Sequence, residues 1–184
     1  MLLVAAALLG VMLPLTAHLP SFWRTGFCAP AAAWAAAILQ APWEATDQGY
    51  LIALPALSIH VTRACSAAQF FCLLWSLMAA VGIAGGAGRG WRIFVRMGLP
   101  RLAGYGLLAY VLTLLANTAR VLLGWWAGLW ARYVLPESFH AGVHLAVGLC
   151  VFTLFLMIGY IMALRLSNRP ETPCGPAMNG PVSA

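Results

Sequence analysis

The sequence predicts an all-α integral membrane protein: a polytopic bundle of about five transmembrane helices with a short extracytoplasmic hairpin-like segment. Three observations predict it. Of 184 residues, 63% are hydrophobic and only 8% charged. The mean hydropathy is +0.90. Several uninterrupted runs approach the roughly 20 apolar residues that a bilayer crossing requires. A water-soluble domain of this length would have to expose much of that apolar surface.

The charge is equally informative. The formal net charge is +6, all ten basic residues are arginine, and lysine is absent. The arginines concentrate between apolar runs, where charge bias sets membrane orientation. They form no basic face of the kind that binds a polyanion, so nucleic acid is excluded as a partner. Membrane lipid is the expected surrounding.

In chain order, residues 1–19 read as a retained first span, because the run is long and lacks a positively charged start. The alanine-rich stretch 31–43 reads as a helix that is long enough to cross only if it begins near Gly26. From Glu44 to Val61 the texture turns polar, with a "DQG" turn and Pro55. This segment is expected to be extended or hairpin-like and to rest on the membrane face. Residues 64–84 form a strong span. The following loop carries Arg89, Arg92, Arg96 and Arg101, with Trp91 and Phe94 suggesting a short interfacial helix. Residues 102–126 form the next span, and "GWWAGLWARYV" after it belongs to the opposite interface. A last span runs from about His144 to Leu164. Residues 1–170 are thus read as a single membrane-embedded domain, and 171–184 as a polar, disordered tail.

Placing the four-arginine loop in the cytoplasm brings Cys65, Asn117, Arg120, His140 and His144 to the outer face by parity. Asn117 and Arg120 are three apart, so a helix puts them on one side; His140 and His144 are four apart. An arginine inside an apolar span is costly unless it faces protein or water. Arg63 and Arg132, nearer the span ends, can snorkel to the headgroups. The five cysteines show no metal-ligand spacing and no disulfide framework. Cys28, Cys72 and Cys150 read as small packing residues. Cys65, beside an arginine at the mouth of a span, stands apart.

The motifs "ACSAAQFF", "ANTARV" and "HLAVGLCVF", in that order, resemble the exosortase/archaeosortase family of membrane cysteine transpeptidases. The "APAAAWAAAILQAPWE" approach and the paired Phe70 and Phe71 are similar to its exosortase K-like subgroup. The likeness covers roughly residues 27–160. It implies a catalytic Cys65, Arg120 and His144, with Asn117 in support. His144 is preferred to the alternative His140 because Gly148 follows at the family's spacing, with Phe152 beyond. The family usually has glycine where this chain has Ala67, whose methyl narrows the accessible backbone dihedrals.

The resemblance implies a peptidase or transpeptidase of the cytoplasmic (inner) membrane, active site outward, that cleaves the C-terminal sorting signal of exported proteins. No metal and no cofactor is expected. Cys65 would attack a peptide carbonyl, His144 would shuttle the proton, and Arg120, always protonated, would hold the oxyanion. The competing expectation is a non-enzymatic membrane subunit, an assembly partner or transporter component, with Arg120 as structural anchor. A bis-histidine haem protein using His60 and His144 is a third, requiring axial histidines on facing helices.

Overall fold

The computed structural model describes residues 10, 24–55, 57–62, 67–86 and 91–167. The expected first span (1–19), Arg89, Cys65 and the polar tail lie outside these.

A π-helical turn, Arg24–Cys28, leads into α1 (Ala29–Leu39). Pro30 near the start suits a first turn whose N–H groups have no helical acceptor. Alanine, the best helix former, fills most of the remaining turns. Ala31, Ala32, Ala35 and Ala36 make a buried stripe, while Trp34 and Ile38 face outward. Gln40, left-handed at φ 51°, ends the helix by donating its N–H to the carbonyls of Ala36 and Ala37. The helix therefore does begin near Gly26, through the π turn. Tyr110 fastens this entry by donating its hydroxyl to the Gly26 carbonyl at 2.7 Å.

The polar segment forms an antiparallel meander of β1 (Trp43–Thr46), β2 (Gly49–Ile52) and β3 (Ile59–Thr62). Thr46 pairs with Gly49 across Asp47 and Gln48, so the "DQG" turn closes a two-residue hairpin. Gly49 in turn pairs with Thr62. A side chain at 49 would run into the Val61 carbonyl, which explains a glycine there. Tyr50, Ile52 and Val61 turn one face onto Ala32, Ala35 and Ala36 of α1. The expectation of a hairpin-like segment was thus one strand short: β3 completes a sheet, with a buried face the polar composition hid.

Three long helices follow: α2 (Ala68–Gly86), α3 (Trp91–Val134) and α4 (His140–Ser167). The short interfacial helix expected around Trp91 is not separate. It is the first part of α3, which runs through Pro100 without ending. Proline removes one ladder hydrogen bond and disfavours the helix interior. At about 1.5 Å per residue, α3 is roughly 66 Å long, about twice a bilayer's hydrocarbon thickness. A single-turn 3-10 helix, Glu137–Phe139, links it to α4.

The three pack around Leu74, Met78, Tyr105, Ala109, Leu112, Ala116 and Val151. Gly159 receives Leu74, and Gly82 receives the Tyr105 ring. Pro100–Val134 and Glu137–Ser167 are long and apolar enough to cross a membrane; Thr25–Leu39 and Ala68–Ala84 are apolar but shorter. Helix α4 turns Leu145, Leu149, Leu154, Met157 and Ile161 away from the bundle, with Leu145 76% exposed. An apolar helix uncovered on this scale is what a lipid phase would solvate.

Gly49→Ala should destabilise the protein by about 2 kcal/mol or more, through strain between β2 and β3. Gly104→Ala, where an added methyl meets nothing within 4 Å, should stabilise α3 by up to about 1 kcal/mol. Chemical unfolding of both variants in the same detergent checks the pair.

Candidate functional site

Helices α3 and α4 run antiparallel and meet through two glycines. The His144 imidazole lies over Gly124, where an added Cβ would come within 2.7 Å of the ring. The Arg120 side chain lies over Gly148, where an added Cβ would stand 3.0 Å from Nε. Arg120 and Gly124 are one turn apart on α3, as are His144 and Gly148 on α4. Each of these two side chains thus fills the gap left by the other helix's glycine. The guanidinium and the imidazole are set about one turn from each other across the seam.

Arg120 is half-buried, and its Cζ stands 5.4 Å from the centroid of the Phe152 ring. Among the described residues its partner is a ring rather than a carboxylate. A cation over an aromatic face gains about 0.5–2 kcal/mol, more when shielded from water. Phe152 is itself stacked on Phe70, centroids 4.7 Å apart and planes 19° apart. Phe70 belongs to the first turn of α2, five residues after Cys65. All three long helices therefore contribute to this end of the bundle.

The sheet occupies the same end. Val121 and Leu122 of α3 pack with its buried face. Trp125 donates its indole N–H to the Leu57 carbonyl at 3.1 Å, tying the β2–β3 connection to α3. The Cys28 thiol donates to the Thr62 carbonyl at 3.6 Å. So β3 is held at its last residue, three positions before Cys65.

Cys65 is outside the described residues, and Ala67 is the first described residue after it. Ala67 is left-handed, φ 53°. Its carbonyl accepts the Phe71 N–H at 2.9 Å, the first bond of α2. An L-residue in this region incurs a strain of roughly 1–2 kcal/mol that glycine does not. The methyl is buried beside Phe70 and Leu74, and burying it contributes about 0.8 kcal/mol. The turn into α2 thus has a glycine-type backbone, occupied by alanine.

Asn117 is 0% exposed. Neither its amide nitrogen nor its amide oxygen has a hydrogen-bond partner. It shares a helix side with Arg120, as expected, without bonding to it. A buried polar group left in this state costs about 1–3 kcal/mol. Thr113 and Thr118 of α3 and Ser76 of α2 are buried and likewise unpaired.

His140, the alternative histidine, donates its Nε2–H to the Leu135 carbonyl at 3.2 Å and so serves the α3–α4 turn. His60 is exposed on β3, which removes the facing-helix geometry a bis-histidine haem would need. Among the described residues, no three His, Cys, Asp or Glu side chains could hold a metal ion. Cys28 and Cys72 are buried, as packing residues should be, but Cys150 is exposed.

Comparison with family models, curated proteins and solved structures finds no match for this chain. The site must be read from its own geometry. Arg120, His144 and Gly148, singled out in the sequence, meet at the α3–α4 seam; the packing parts of Gly124 and Trp125, and of Phe70 against Phe152, were not read from it. Phe152, two turns beyond His144, and Phe70, in the pair after the Cys motif, carried a signal in the sequence.

Ala67→Gly should change stability by no more than about 1 kcal/mol, since relief of backbone strain and loss of a buried methyl nearly offset. Ala67→Val should cost about 2–3 kcal/mol, because a β-branched residue resists positive φ. Unfolding midpoints of the two variants in one detergent test this.

Proposed function

We propose that this chain is a membrane-embedded cysteine peptidase or transpeptidase acting on the C-terminal sorting signal of exported proteins at the outer face of the cytoplasmic membrane. What carries the reading is the reciprocal seating of Arg120 on Gly148 and His144 on Gly124, at the end of the bundle that β3 and α2 approach from either side of Cys65. A thiol acyl transfer needs a nucleophile, a proton shuttle and a fixed cation for the oxyanion. The left-handed Ala67 adds support, since it stands where the exosortase/archaeosortase pattern usually has glycine.

In this reading the Cys65 thiolate adds to the scissile carbonyl, and the oxyanion is held by Arg120. The carbon–nitrogen bond then breaks, the departing amine takes a proton from the His144 imidazolium, and a thioester remains. An incoming amine or water attacks the thioester, gives its proton to His144, and releases the Cys65 thiolate. The exposed His144 ring is reachable by a substrate. The substrate's apolar helix lies in the membrane beside the uncovered face of α4, with its cleavage motif reaching the site from outside. In this reading five spans, with the arginine-rich start of α3 inside, bring the site to that side.

A second reading is favoured by one observation: Arg120 rests on Phe152 between two helices, as a packing anchor would. It makes the chain a non-enzymatic membrane subunit in which Cys65→Ser is silent and Arg120→Ala lowers yield. Thiol alkylation of intact cells separates the two, because an enzyme's Cys65 should label fast from outside.

In cells making the Cys65→Ala variant, proteins with a tripartite C-terminal tail should accumulate uncleaved in the membrane; normal processing would remove the nucleophile assignment. Arg120→Lys should lower turnover by about 100-fold, because an ammonium does not reproduce the planar donor fork. Quantitative immunoblotting of tail-bearing reporters measures both.

A further inference from the structure

We infer that Phe152, backed by Phe70, is the positioning residue that holds the Arg120 guanidinium in place. The inference rests on the enzyme reading for its functional consequence and on geometry for the rest. An arginine side chain has a long, freely rotating stem, and a charge used on a reacting group must be fixed beforehand. The usual way to fix it is a bidentate carboxylate, which consumes the N–H donors and neutralises the charge. Among the described residues, Arg120 has instead the Phe152 ring, 5.4 Å from Cζ to centroid. A ring attracts the cation through its quadrupole and leaves the N–H donors for another acceptor. That is what an oxyanion site requires.

The ring is in turn held. Phe70 stacks on Phe152 at 4.7 Å and is itself buried at the head of α2. Gly148, one turn before Phe152 on α4, leaves the space through which the arginine stem passes, since a Cβ there would stand 3.0 Å from Nε. The column Phe70–Phe152–Arg120 therefore crosses from α2 through α4 to α3. It links the first turn after the Cys65 segment to the cation that would serve it.

The test uses the full chain in lipid nanodiscs, as wild type, Phe152→Leu, Phe152→Tyr and Phe70→Leu. The Arg120 side-chain Nε–H signal, identified by its loss in Arg120→Lys, should be shifted upfield by the ring in the wild type. The shift should vanish in Phe152→Leu, persist in Phe152→Tyr and weaken in Phe70→Leu. Cleavage of a membrane-inserted reporter ending in a tripartite sorting tail should fall about 5- to 30-fold in Phe152→Leu. It should recover in Phe152→Tyr. A wild-type signal at the position of solvent-exposed arginines, or a Leu variant that loses the shift yet cleaves at the wild-type rate, overturns the inference. If Phe152→Leu does not fold, the wild-type shift and its retention in Phe152→Tyr decide. Cys65→Ala runs beside them: wild-type cleavage by that variant brings down the enzyme reading, and the ring-induced shift then judges the arginine's placement alone.

Discussion

The α3–α4 seam is the constraint on which the rest depends. Two glycines, Gly124 and Gly148, leave surface gaps on facing helices, and each gap is filled by a large polar side chain from the other helix. Apolar side chains filling those gaps would pack as well, but they would bring no chemistry. Filling them with an imidazole and a guanidinium sets two functional groups on rigid helices within about a turn of each other. Small residues are how helices in lipid approach closely, because no hydrophobic driving force separates helix contact from lipid contact there. Here the close approach and the two large polar side chains use the same positions.

The sheet and the start of α2 fix the residues on either side of 63–66. β3 is pinned at Thr62 by the Cys28 thiol, and its connection to β2 is pinned by Trp125. α2 starts from a left-handed Ala67 whose carbonyl opens the helix. Both flanks of residues 63–66 are thus anchored to the bundle at the end where Arg120 and His144 stand. Sites built on helices and strands hold tighter geometry than sites on free loops. Alanine at 67 makes that anchoring slightly costly, because an L-residue is strained at a positive φ.

Electrostatics is unusual at this end of the molecule. Glu44, Asp47 and Glu137 belong to the sheet and the α3–α4 link at this end, yet among the described residues the partner of Arg120 is a ring. A cation with no acidic partner among the described residues, at the edge of a low-dielectric bundle, exerts more force on a nearby negative charge than one already paired. Next to it, Asn117 and Thr113 are buried on α3 with unsatisfied polar atoms. Such atoms are disfavoured in any interior and more so in lipid, so this stretch of α3 retains polar groups against a stability cost.

Much was legible in the sequence because apolar length, arginine placement and parity are properties of the chain read in order. They led to long helices, to a non-helical polar segment with a turn at "DQG", and to Arg120 and His144 at one end. Local rules could not show that α3 continues through Pro100, since a proline removes a ladder hydrogen bond and reads as a break. Nor could they show β3, whose partner strand lies across a six-residue connection, or the mutual fit of His144 with Gly124, residues twenty apart. Those features exist only when separate elements touch. A guanidinium's partner, likewise, is chosen by which ring the fold brings within reach.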